Sequence, residues 1–178
     1  MFRKARKLAS EEDLYAAGLR ALMRRAHSVY EMRQALERRA EEKSLARRVL
    51  ERLKREGLLD DARYARQFAR QHAESRRQGR FRIARDLRAR GVPDRHIEAA
   101  LEEIFAETDE SALVRKRIER RLRSLRGPLD ERRLASLYRS LMRAGFSSDL
   151  IRTELRAATR RDVAELAEAD ATSEAEGG

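Results

Sequence analysis

An all-helical protein without a sheet is predicted by three observations. Arg, Ala, Leu and Glu dominate the 178 residues, and all four favour helix. Apolar side chains recur at helical spacing and almost nowhere with period two. Gly and Pro are few, 8 and 2, and the glycines stand between periodic segments as punctuation. Aromatics make up 5% and Trp is absent, so the core should be built of Leu, Ile and Ala.

The elements follow in chain order. Residues 1–10 (MFRKARKLAS) form a basic extension that lacks the apolar run of a signal peptide. A first three-helix unit over 11–57 has helices expected at 11–26, 30–39 and 43–56, closed by Gly57. A second, over 58–107, has helices at 60–77, 81–90 and 94–106; Asp60 or Asp61 is its natural N-cap, and Gly79 and Gly91 mark its turns. A third, over 108–160, has helices at 109–125, 130–144 and 148–160, with a Gly127-Pro128 turn, Asp130 and Ser147 as N-caps and Gly145 between the last two. Residues 161–178 are acidic, small and Gly-ended. They are expected to extend the last helix and then fray.

The three units are related. RGVPDRHIEAAL (90–101) and AGFSSDLIRTEL (144–155) share Gly, an apolar residue, a polar turn, Ile and Leu at an offset of 54. Ile83 and Leu87 pair with Leu137 and Leu141 at the same offset. At an offset of 51, Tyr30, Met32 and Leu36 fall on Phe81, Ile83 and Leu87, with Ala40 in the place of Gly91. The prediction is an elongated array of three tandem three-helix repeats, about nine helices in all.

The formal net charge is +11. Residues 162–178 carry six acidic side chains and no basic one, so residues 1–161 hold 42 basic against 25 acidic groups, or +17. A body this basic points to a polyanionic partner. There is no Cys, which excludes disulfides, thiolate metal sites and cysteine nucleophiles. No apolar run reaches membrane-spanning length, and a soluble, cytoplasmic monomer is expected. His27, His72 and His96 lack ligand spacing and read as surface or helix-end residues. No phosphate loop or nucleophile motif occurs, so neither catalytic residue, metal nor cofactor is expected.

At 100° per residue, Ile83 and Leu87 face one way on their helix and Arg82 and Arg85 the other, with Arg88 on the flank. Arg76, Arg77 and Arg80 add charge just before it. On the next helix but one, Val114, Ile118, Leu122 and Leu125 make a stripe ringed by Arg115, Arg117, Arg120 and Arg121. Leu134, Leu137, Tyr138 and Leu141 are the expected core face of 130–144. A solvated face is the ordinary reading of any one arginine. The run 76–88, with six arginines and only Asp86 to oppose them, has few local partners, and repulsion at that density would be offset by an anionic surface. The aromatics Tyr15, Tyr30, Tyr64, Phe68, Phe81 and Tyr138 are expected to pack in the core rather than stack on bases.

The stretch GLLDDARYARQF (57–68) followed by GRFRIARDLRARGV (79–92) resembles the RecX family, regulators of the bacterial recombinase RecA. The residues that carry the resemblance are Leu59, Asp60, Asp61, Arg63, Tyr64, Ala65 and Phe68, then Gly79, Arg82, Ile83, Asp86, Leu87, Arg90, Gly91 and Val92. It is specific in the middle unit and covers roughly 12–158. Arg80-Phe81 departs from the small pair that many members carry there, and the acidic tail is outside the pattern. The resemblance implies an elongated helical protein without a catalytic site. Such a protein lies in the groove of the RecA filament and inhibits ATP hydrolysis, filament extension and strand exchange in recombination, DNA repair and the SOS response. The ten arginines named above would form the face toward RecA and DNA, with weak, salt-sensitive binding to single- or double-stranded DNA. The competing reading is an autonomous nucleic-acid-binding helical protein.

Overall fold

The computed structural model describes residues 7–124 and 130–160. They form nine helices and no strand: α1 (Glu11–Arg24), α2 (Val29–Glu37), α3 (Lys43–Arg55), α4 (Asp61–Glu74), α5 (Arg80–Arg88), α6 (Asp94–Glu107), α7 (Glu110–Arg123), α8 (Glu131–Ala144) and α9 (148–160). Leu125, the Gly127-Pro128 turn and the acidic tail lie outside the described residues.

The helix starts follow from side-chain caps. Ser10, Asp109 and Asp130 each accept a hydrogen bond from the backbone N–H three residues on. Ser28 and Glu31 form a reciprocal capping box. Asp60, not Asp61, caps α4, accepting from the N–H groups of Ala62 and Arg63 at 2.8 and 3.0 Å. The ends of α3, α5 and α8 share one device. Gly57, Gly91 and Gly145 have φ of 70°, 69° and 93°, and the following residue's N–H reaches back to Leu53, Leu87 or Leu141. That is a Schellman end, which favours glycine. Helix α4 stops at Glu74, three residues short of the expected 77, because the chain reverses there. The Gln78 N–H bonds back to the His72 carbonyl at 3.1 Å, and Arg77 takes a left-handed φ of 50°. His72 itself is buried, its Nδ1 2.7 Å from the Gln78 side-chain oxygen.

In space the described chain divides into two compact units. One comprises the chain up to Gln71 together with Ala84–Ile104, the other His72–Ile83 together with the chain from Phe105. The first is centred on Leu14, Met32, Leu36, Val49 and Leu53, and it also buries Leu87 and Ile97 completely. The second is centred on Val114, Ile118, Leu137, Leu141, Phe146 and Ile151. The residues paired by the repeat, Ile83 with Leu137 and Ile97 with Ile151, are buried alike.

Each unit contains one copy of the same joint between successive repeats. In the first, the start of α2 meets the end of α5: the Ser28 hydroxyl donates to the Arg90 carbonyl at 2.6 Å, and a Cβ on Gly91 would lie 2.4 Å from the Tyr30 ring. In the second, the start of α5 meets the end of α8: the Gly79 and Phe81 N–H groups donate to the Ala144 and Gly145 carbonyls at 2.9 and 3.1 Å. An acidic first residue of the following repeat completes each joint. Asp61 accepts from the Val29 N–H at 2.9 Å, and Glu110 from the Arg80 N–H at 3.1 Å. The donors left over at a helix start are thus satisfied by another repeat's carboxylate and C-terminal carbonyls.

These joints correct the expectation for two aromatics. Tyr30 and Phe81 are 40% and 59% exposed, not core residues. They occupy the first turn of α2 and α5, where the neighbouring glycine turn takes the inner position. Tyr64 is buried, and Tyr15 and Tyr138 pack against the core edges.

The joint can be tested at its glycine. A Cβ on Gly145 would lie 2.3 Å from the Arg82 backbone nitrogen, whereas one on Gly57, also left-handed, meets nothing within 4 Å. Gly57→Ala is expected to cost ~1–2 kcal/mol for the left-handed conformation alone. Gly145→Ala should exceed it in urea unfolding, because backbone cannot step aside as a flexible side chain can. Equal losses would show that the joint is loose.

Candidate polyanion interface

The ten arginines singled out from the sequence separate into groups once their surroundings are known. Arg85 and Arg88 belong to the first compact unit and the other eight to the second. Several meet acids. Arg80 Nε is 3.1 Å from Glu110, and its guanidinium stacks 5.1 Å over the Phe105 ring. Arg88 is 2.7 Å from Asp94, Arg85 lies 3.9 Å from Asp86, and Arg115 bridges Asp109 and the buried Glu154 at 3.2 and 3.5 Å. The 76–88 run has few partners within itself, as expected, but acids elsewhere in the chain meet Arg80 and Arg88. Most of these partners sit across turns and in other helices, beyond the reach of a local i,i+4 inspection. Arg82 is half-buried, with its Cβ against the Gly145 turn.

Arg117 organises what remains. Its Nε donates to the Arg77 carbonyl at 2.8 Å and an Nη to the Arg76 carbonyl at 2.9 Å. The planar guanidinium fits this two-carbonyl bracket, which a lysine could not reproduce. It holds the α4–α5 turn at the point where Arg77 is left-handed, a conformation a side chain adopts only when its surroundings impose it. Burial lowers the proton affinity of Arg117, and the charges of Arg120 and Arg77 lower it further. A half-buried cation beside two more is the signature of a locally crowded positive potential.

Arg76, Arg77, Arg120 and Arg121 are exposed. Among the described residues none of the four has an acidic side chain within ion-pair distance. Arg117, Arg120 and Arg121 share a face of α7 by their spacing of three and four. The bracket thus ties the turn carrying Arg76 and Arg77 to the helix carrying Arg120 and Arg121, all in one compact unit. The backbone bracket by Arg117 and the joint residues Asp61 and Glu110 were not foreseen. The signal for the latter was present as an acid opening the first helix of two successive repeats.

Among the described residues no group of three or more His, Asp or Glu is placed to hold a metal ion, and no helix is long and apolar enough to cross a membrane.

Comparisons with known proteins agree with this architecture. Residues 60–101 match the family model described as the second three-helix domain of RecX, and residues 108–155 the third. The chain is 41% identical over 154 residues to the regulatory protein RecX of Halorhodospira halophila, covering 86% of this chain and 93% of that protein. It is 38% identical over 144 residues to the regulatory protein RecX of Trichlorobacter lovleyi, covering 79% and 92%. The crystal structure of RecX from Lactobacillus salivarius shares the fold, with a TM-score of 0.66 at 21% identity over 83% of this chain and 95% of that one.

Proposed function

The chain belongs to the RecX family of regulatory proteins, and from that premise we propose that it binds the RecA recombinase filament in the cytoplasm and restrains its ATP hydrolysis, extension and strand exchange without catalysing a reaction itself. Family membership over most of the chain carries this reading. The bracketed arginine cluster supports it, because a nucleoprotein filament offers both DNA phosphates and acidic protein surface. Four exposed guanidinium groups on a braced turn and helix would meet such a surface with little ordering cost. Their charge would speed encounter and weaken with salt. Arg80, Arg82 and Arg115, in the same compact unit as the cluster, act in this reading as the flank of the interface, with part of their charge already neutralised, and Arg85 and Arg88 add positive charge to the other unit. The protein works as a monomer, since repeated modules suit a repetitive target.

The test is RecA ATP hydrolysis on single-stranded DNA with this protein well below the RecA concentration. Inhibition at substoichiometric amounts is expected, because a blocked filament end or a seeded break affects many subunits. Inhibition that appears only at DNA-coating amounts, and is relieved by excess DNA, would favour plain polyanion binding.

A further inference from the structure

The third repeat carries a second surface of different chemistry, on two helices that both belong to the second compact unit. Helix α8 turns one face to the core, where Leu137 and Leu141 are buried. Another face, formed by Glu131, Leu134, Ala135, Tyr138 and Arg139, lines an open groove of 680 Å³. The opposite wall is Arg152, Leu155, Arg156, Thr159 and Arg160 of α9. Each wall runs i, i+3, i+4, i+7, i+8, the spacing of a helix face that packs against another element. Among the described residues, α8 and α9 alone line the groove.

The floor and the rim differ in kind. Leu134, Ala135 and Tyr138 are half-buried and Leu155 is buried. The Thr159 hydroxyl donates back to the Leu155 carbonyl at 3.0 Å, so its proton is already used. Arg139, Arg152, Arg156 and Arg160 are exposed along the rim. Arg152 pairs with Asp149 at 3.5 Å. For the other three no acid lies within ion-pair distance among the described residues. Glu131 is the one acid among the described lining residues, and it stands in the first turn of α8, where the helix dipole favours it.

A phosphodiester backbone would use these arginines and leave the floor wet. A helix with leucines in one stripe and acids beside it would use both. Arg152, Arg156 and Arg160 follow one another at four-residue steps, about 6 Å each along the axis. Acids at i and i+4 on a partner helix repeat at the same step. From Glu131 to Arg139 the α8 wall is about 12 Å long, room for two turns of such a helix.

We propose that the α8–α9 groove is a docking site for an acidic amphipathic helix of a protein partner. The partner's apolar stripe covers Leu134, Tyr138 and Leu155, and its carboxylates meet Arg139, Arg156 and Arg160. This is helix-in-groove recognition. A helix this short barely forms alone in water, so the segment folds as it docks and binds with modest affinity. The site is separate from the cluster of Arg76, Arg77, Arg120 and Arg121. Its test needs neither RecA nor DNA, so it stands or falls independently of the proposed function.

The probe is a fluorescent peptide of about fourteen residues, long enough for a marginal helix, with Leu at i, i+3 and i+7 and Glu at the flanking positions. It is titrated with the full-length protein and followed by anisotropy. Saturable binding is expected. A peptide of identical composition, its leucines spread around the helix, should bind at least about tenfold more weakly. Arg139→Glu with Arg156→Glu should also weaken binding by about tenfold. Both residues are exposed and neither neutralises an acid among the described residues, so the melting temperature should hold. Changing Arg76, Arg77, Arg120 and Arg121 to Glu should have much the smaller effect. Absence of saturable binding would overturn the proposal. Equal binding of the two peptides would reduce the groove to a patch of charge and overturn it too, as would indifference to the changes at Arg139 and Arg156. A single-stranded oligonucleotide whose binding falls as steeply with those two changes would overturn it in favour of nucleic acid. Self-association of the chain, abolished by the same two changes, would overturn it in favour of a second copy.

Discussion

Changing Arg76, Arg77, Arg120 and Arg121 together to Glu is expected to weaken salt-sensitive binding to a single-stranded oligonucleotide severely and to remove most inhibition of RecA, with the fold intact. All four are exposed and none neutralises an acid among the described residues, so the folded protein loses no ion pair. The bracket survives, because Arg117 holds the carbonyls of Arg76 and Arg77 rather than their side chains. If roughly four phosphate partners are lost, the slope of log affinity against log salt should flatten by about three. Far-UV circular dichroism and the urea midpoint should stay near those of the parent. A matched variant at Arg80, Arg88 and Arg115 should behave differently. It puts like charges against Glu110, Asp94 and Glu154, so stability falls along with binding. Unchanged oligonucleotide binding in the first variant would sink the assignment of this cluster.

Leu87→Ala should do the reverse, damaging the fold and only through it the function. Leu87 is completely buried in the middle of the chain, on the face of α5 that also buries Ile83. Truncation removes three carbon atoms from a packed interior and leaves a cavity that its neighbours fill only in part, a loss of ~2–5 kcal/mol. For a protein of this size, a loss that large lowers the melting temperature by ten degrees or so. Thermal unfolding followed at 222 nm reads it directly, and an unchanged melting temperature would mean that Leu87 does not lie in a close-packed core.

Much of the fold was legible because it is written locally. Helices, glycine stops and the caps at Asp60, Asp130 and Ser147 depend on residues within one turn of each other, and the core face of α5 follows from a 100° step. The arginine surroundings were less legible because they depend on which helix ends meet. Arg80 and Glu110 are thirty residues apart, and Arg117 is forty from Arg77. Phe81 and Tyr30 misled for the same reason. Their repeat alignment was informative, but it marked a shared position at the joint rather than a shared place in the core. Asp61 shows the limit most clearly. Next to a capping Asp60 it reads as a spare, yet its carboxylate serves Val29, thirty-two residues back.

The joint between repeats has a consequence for how such a chain can grow. The second repeat brings both halves of it: a helix start that receives, that of α5, and an acid, Asp61, and a glycine-ended helix that are received. The two halves are not alike, so a repeat does not close upon itself and always leaves one half to be met by the next. A gene segment of about fifty codons copied in tandem would therefore arrive with compatible fittings on both sides, and the loss of one copy would let its neighbours join. Only the outermost fittings need separate treatment. At one end Leu8 pairs with Arg39 and Glu41 beside the end of α2, and Lys7 donates to the Arg38 carbonyl. Selection acting on copy number would thus meet little resistance within the array, and would fall hardest on the short stretches that finish it.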